Sequence, residues 1–214
     1  MARGLAEKRE AAGFEEPPWG APFERTEELL AIPEAAEMAG MFLAPLVIGA
    51  KRRGVLLPSA RDRYLPFKFY PLREHASLLI ESCELLLTDL PIRLALRKLG
   101  RGAPAALIAS TLGKVVLGSA QGVHAVVEAM VKAYPLNVRP SQTSVLSSGP
   151  TEMVLRFDEV HYFLDSHHVG ALEGALKHAG VDGRVLIHSR SRSSADFLVE
   201  WGDARARAAK PSAE

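Results

Sequence analysis

Histidines and one cysteine are the residues in this 214-residue chain best suited to acid–base, nucleophilic or metal chemistry. His161, His167 and His168 fall within eight residues. A metal site needs several imidazole, thiolate or carboxylate donors converging on one point. His167 and His168 are neighbours on an expected helix, so their side chains diverge by about 100° and share an ion poorly. No cysteine accompanies them, and no His-Glu-x-x-His spacing occurs. They are read as polar residues at a helix start. His75 and His124 begin helices and are expected to be exposed. His178 and His188 fall at a helix end and on a strand. Cys83, the only cysteine, lies in the apolar run 78–87 and is expected to be buried and unreactive.

Other chemistries find less support. Gly113 to Ser119 superficially resembles a phosphate loop but lacks the lysine before its final hydroxyl residue. In Gly118-Ser119-Ala120-Gln121-Gly122 the serine stands one place too early for a nucleophile elbow. Arg190 and Arg192, among serines, read as a solvated hairpin loop rather than an anion site. Arg93, Arg97, Lys98 and Arg101 form a basic helix face without interleaved aromatics. With 26 basic against 25 acidic residues, the net charge of +1 gives no general attraction to nucleic acid or anionic membranes. The expectation is therefore no catalytic residues, no metal and no cofactor: not an enzyme, and not a nucleic-acid binder.

The positioning elements follow from pattern. Residues 1–33, rich in Glu, Ala and Pro, read as a partly disordered leader. Residues 34–202 read as a single α+β domain, and 203–214 as a disordered tail. The longest apolar run, Met38 to Ala50, has 13 residues, short of the roughly 20 that span a bilayer. The first residues lack a secretory core, so a cytoplasmic protein without membrane insertion is expected. Met38 to Leu43 suits a strand or a helix start. Helices are expected over Arg73–Leu87, from a Thr88-Asp89 cap to just before Gly100, over Pro104–Leu117 and over Gln121–Ala133. Strands are expected at 144–146 and 153–157, then at 185–189 and 197–201. Between those hairpins a helix capped by Asp165 or Ser166 runs to Ala179. The fold class is α+β, with N-terminal helices packed on a small antiparallel sheet of two hairpins separated by a helix.

Two apolar faces are candidates for a binding surface. The last helix carries Val169, Leu172 and Leu176 on one stripe, flanked by Gly170 and Gly174. The helix near residue 95 carries Ile92, Leu96 and Leu99 at helical spacing. The bare glycines call for a close neighbour. The protein's own sheet is expected there, with a ligand or a second subunit, hence a homodimer, as alternatives. A cavity of about 300 Å³ or more between the helical half and the hairpins would mark a small-molecule site. A solid core there would shift function to an outer surface and a protein partner.

Several segments resemble a known family. They are Phe69-Tyr70-Pro71 before a helix, Ala95 to Gly100, Ser110 to Lys114, Gly170 to Leu176 and Asp196 to Trp201. Over roughly 38–201 they are similar to a family of myxobacterial paralogues, a domain of unknown function. The ending is also distantly similar to the haem–nitric-oxide-binding, vinyl-reductase and vesicle-tethering domains. That resemblance implies helices followed by a helix-bearing antiparallel sheet, and binding of haem, small apolar molecules, acyl chains or protein partners. The haem-binding branch has an axial histidine and a Tyr-x-Ser-x-Arg motif. Here Val127 stands near the first position, with His124 one turn earlier. After Tyr162 come Phe163, Leu164 and Ser166 without the arginine. The expected function is a non-catalytic regulatory or sensing module that binds a protein partner or a small apolar ligand. A haem or gas sensor, and an enzyme with an unrecognised site, are the alternatives.

Overall fold

The structure, a computed structural model, describes residues 13–109 and 122–202. The described helices are α1 (Arg25–Leu30), α2 (Gly40–Lys51), α3 (Leu72–Leu86), α4 (Ile92–Gly100), α5 (Ala103–Ala109), α6 (Gly122–Asn137) and α7 (Val169–His178). The strands are β1 (Glu37–Ala39), β2 (Phe69–Pro71), β3 (Val138–Arg139), β4 (Gln142–Ser148), β5 (Glu152–Asp158), β6 (Asp182–Ser191) and β7 (Ser194–Gly202). The resemblances to a phosphate loop and a nucleophile elbow, and the end of the expected third helix, lie outside the described residues. So does the expected tail.

The main sheet is antiparallel, in the order β4-β5-β7-β6. Its two hairpins fall where alternation places them, with Met153, Leu155 and Phe157 of β5 turned into the core. Central β7 is buried on both faces, and its second face is polar. Arg156 grips Asp196 through two bonds of 2.9 Å, Arg190 reaches the same carboxylate at 3.1 Å, and Arg184 reaches Glu200 at 2.8 Å. Arg190 also pairs with Asp158, and Arg192 reaches Glu27 at 2.8 Å. Arg190 and Arg192 stay exposed, as expected of a solvated hairpin loop, and each also takes part in ion pairs. Helices α6 and α7 pack on this sheet and the other helices pack on one another and on α7, so the chain forms the expected α+β architecture. A second sheet, β2-β1-β3, pairs Met38 with both Tyr70 and Val138. Its strands are too short to show a sequence period.

Three local expectations change. The run 38–43 is both strand and helix, because β1 passes directly into α2. At the start of α4 neither Thr88 nor Asp89 caps the helix. Pro91 occupies the N-cap in extended conformation, and Gly100 is the last helical residue. Helix α6 continues through Pro135 to Asn137 rather than stopping near Ala133. A proline lacks the N–H that would bond the carbonyl four residues back. Here that carbonyl, Val131, accepts the Thr143 hydroxyl at 2.6 Å, so the helix continues without an orphaned acceptor.

Residues 13–33 lie against the domain. Glu15 and Ile187 of β6 exchange two backbone bonds of 3.0 and 2.9 Å, the Arg97 guanidinium sits 4.4 Å from the Trp19 ring centre, and Ile32 is fully buried.

Candidate functional site: an apolar cavity ending on histidines

An apolar cavity of about 260 Å³ opens among α2, α3, α5, α6 and the segment before α7. Leu46, Leu79, Leu99 and Met130 are among its walls, and one end is lined by His75, Tyr134, Tyr162, His167 and His168. No charged side chain lines it among the described residues.

Local backbone geometry brings the histidines here. Phe163 is in the left-handed region at φ 43°, and residues Leu164–His168 form a single π-helical turn ahead of α7. Such widened turns recur at functional sites. This one places His167 and His168 side by side on one cavity, their ring centres 5.6 Å apart. The expectation that these two diverge as polar residues at a helix start is corrected accordingly. Neither Asp165 nor Ser166 caps α7 through its side chain; Asp165 instead pairs with Arg93. His75, expected to be exposed, is buried in α3 and packs edge-on against Tyr162 at 5.5 Å.

Hydrogen bonding divides the three rings into two kinds. His168 is fully satisfied. Its Nδ1 lies 3.2 Å from the Phe163 carbonyl and its Nε2 lies 2.7 Å from the Tyr134 hydroxyl. A carbonyl only accepts, so Nδ1 carries the proton and bare Nε2 accepts from the tyrosine. His75 and His167 differ, because Nδ1 of each is buried without a partner. The Ser166 hydroxyl is also unpartnered, and it is fully buried. Burial, reinforced by the neighbouring ring of His168, pushes His75 down to about 3. Burial lowers His168 to about 4, and lowers His167 far below the ordinary range. Burial also raises Tyr134 and Tyr162 well above the usual phenol range. Near neutral pH this end of the cavity is therefore polar but uncharged. Among the described residues no three His, Cys, Asp or Glu side chains stand together so as to hold a metal ion.

The eight residues chosen from sequence come together, but mostly beside the cavity. Ile92, Leu96 and Leu99 lie on α4; Val169, Gly170, Leu172, Gly174 and Leu176 lie on α7. The two helices touch backbone to backbone. A Cβ on Gly170 would run into the Arg97 carbonyl, one on Gly174 into the Arg101 carbonyl, and one on Gly100 into the His167 carbonyl. The neighbour that the bare glycines admit is thus α4, not the sheet. Leu96, Val169, Leu172 and Leu176 are core, Ile92 packs against that core, and Leu99 alone of the eight lines the cavity.

The three arginines of the basic face are likewise committed to the fold, while Lys98 is exposed. Arg93 pairs with Asp165 and donates to the Pro22 carbonyl at 3.0 Å, while Arg97 and Arg101 each reach Glu173 at 2.8 Å. These clamps tie α4 to the π turn and α7. Arg93, expected on the solvated side, is buried. Cys83 is buried as expected, and burial pushes its thiol up to about 12. Sequence reasoning missed His75, Tyr134 and Tyr162 as site residues. The only local signal was the density of histidine and aromatic residues over 161–168.

Residues 33–202 match the model of a family described as a protein of unknown function (DUF2378). No curated protein matches the chain in sequence. Its fold is similar to that of H-NOX proteins. An Fe(II) unliganded H-NOX protein from K. algicida aligns at 11% identity and TM-score 0.58, covering 78% of this chain and 97% of that one. A mutant H-NOX protein from S. oneidensis in the Fe(II) ligation state gives 16% identity and TM-score 0.61, over 78% and 97%. The Shewanella oneidensis H-NOX domain in the Fe(II)CO ligation state gives 14% and 0.59, over 78% and 99%.

Proposed function

The chain belongs to the DUF2378 family, and we propose that it acts as a non-catalytic sensing module that takes a small apolar ligand into its helical cavity. The observation that carries this reading is the cavity itself. Close packing is the rule in protein interiors. At about 260 Å³ the space is somewhat smaller than the roughly 300 Å³ expected of a small-molecule site and lies among the helices rather than against the hairpins, but its apolar walls with a few polar groups are the make-up of a pocket for a small ligand.

The similarity to H-NOX proteins raises haem as an alternative, and the described lining offers imidazoles but no partner for its propionates. A haem is held by an axial ligand and by partners for its propionates. No arginine or lysine lines the cavity among the described residues. His124 bonds the Gly149 carbonyl at 2.7 Å and packs edge-on against Trp201 at 4.8 Å, while Val127 is fully buried.

An enzymatic reading also lacks support. Among the described residues, the one hydroxyl–imidazole pair in the cavity is Tyr134 with His168, where the phenol is held protonated and the ring is oriented by a carbonyl. His75 and His167, the other imidazoles there, are held neutral by burial, and no hydroxyl or thiol is bonded to either among the described residues.

Benzene titrated into methyl-labelled protein tests the reading. The methyl signals of Leu46, Leu79 and Leu99 are expected to shift, and a Met130→Trp variant, which fills the space, is expected to lose the response. Unmoved methyl signals in the wild-type protein would overturn the proposal.

A further inference from the structure

We propose that the molecule selected by this cavity is neutral and mostly apolar, has about ten non-hydrogen atoms, and carries a single hydroxyl held between the imidazoles of His75 and His167. This rests on the reading of the cavity as a ligand site and specifies its chemistry.

Size comes first. A dry cavity of about 150 Å³ lined by aliphatic and aromatic side chains accommodates benzene. The present volume of about 260 Å³ scales to a molecule of about ten non-hydrogen atoms. Charge comes second. No charged side chain lines the space among the described residues, so an ion entering it would lose its hydration without compensation.

The polar group follows from what the lining leaves unsatisfied. Among the described residues, Tyr134 and His168 bond one another, Tyr162 shares a hydrogen bond with Tyr134, and His168 is anchored to the Phe163 carbonyl. Asn137 donates to the Ala133 carbonyl at 2.8 Å. His75 and His167 remain, with ring centres 6.2 Å apart; the Nδ1 of each is unpartnered and sealed from the space, so it meets a ligand only after its ring turns. A neutral imidazole offers one donor and one acceptor, and a turn about its Cβ–Cγ bond exchanges the edge it presents. A hydroxyl also offers both, so it can accept from one ring and donate to the other. An ether or ketone only accepts, and an alkane does neither. A carboxylate would call for a protonated ring, which burial opposes at both positions.

Calorimetric titration with 1-octanol, its isomer dibutyl ether, and octanoate separates the outcomes. The alcohol is expected to bind at least tenfold more tightly than the ether. In His75→Phe and His167→Phe the preference should fall below threefold, while the ether affinity is retained. Equal binding of alcohol and ether overturns the hydroxyl docking and leaves the cavity reading standing. Tighter binding of octanoate overturns the neutrality of the ligand. Binding of none overturns the cavity reading itself. Should the variants fail to fold, ring-nitrogen NMR of the wild-type protein provides the second measurement. The alcohol should move the signals of His75 and His167 more than those of His168, and a uniform or absent response refutes the docking.

Discussion

At the scale of single residues, the three buried imidazoles govern how the fold responds to acid. In an unfolded chain each histidine titrates near 6.5. In the folded chain His168 stays neutral down to about 4 and His75 down to about 3. Above pH 6.5 neither state binds these protons, so the rings add no pH dependence. Below it the unfolded chain takes up protons that the folded chain refuses. Stability should therefore fall by about 1.4 kcal/mol per pH unit for each ring, flattening near pH 4 for His168 and near pH 3 for His75. Urea unfolding between pH 7 and 4.5 checks this, and His75→Phe should remove one ring's share of the slope. A flat profile would contradict the burial of these groups. The Tyr134–His168 bond gives a second expectation. Tyr134→Phe keeps the ring but strips bare Nε2 of its donor, and should cost about 1–3 kcal/mol of stability at pH 7.5. Combining it with His168→Phe should recover part of that loss.

At the scale of elements, the α4–α7 crossing depends on the absence of side chains. Main-chain carbonyls of Arg97 in α4 and of Arg101 just past its end occupy the space a methyl group would need at Gly170 and Gly174. Gly170→Ala should therefore destabilise by about 3 kcal/mol in denaturant titrations, even though alanine is the better helix former. An unchanged midpoint would mean that the helices do not touch there. This crossing also shows where sequence patterning stops. The alternation of Met153, Leu155 and Phe157 locates a strand by itself, because one face of it is wet. A glycine pair announces a close neighbour without saying which one, since the answer depends on how α4 is placed in three dimensions. Pro135 reads as a stop for the same reason, because the donor that rescues Val131 comes from Thr143 on another element. Thr143→Val should leave that carbonyl unpartnered and cost about 1–2 kcal/mol, read again from the urea midpoint.

At the scale of the whole molecule, the order of helices and hairpins was enough to read the α+β class. The site was not legible from it. Burial of His75 and His167 follows from a π turn and from the packing of three helices around it, and neither leaves a periodic mark. The H-NOX-like fold combined with an uncharged lining leads to a direct expectation. Addition of hemin should give a broad, non-specific absorption band that is no sharper than that of a Met130→Trp variant. A sharp band lost in His75→Ala would instead favour axial ligation from this cavity.

The pairing of Glu15 with Ile187 bears on self-association. Strand β6 lies at an open end of the main sheet, and its Val185-Leu186-Ile187 segment is rich in β-forming residues. An uncovered strand of this kind is a template onto which a neighbouring molecule can add. The two backbone bonds from Glu15, with the His188 ring 3.0 Å from the Gly13 carbonyl, occupy that template at its most apolar point. A chain shortened to begin at residue 19 should keep its helical circular dichroism but show higher-order species in sedimentation velocity at raised concentration. The intact chain, or a shortened one carrying Ile187→Lys, should sediment without them. On this view the N-terminal segment guards the sheet against fibrillar growth.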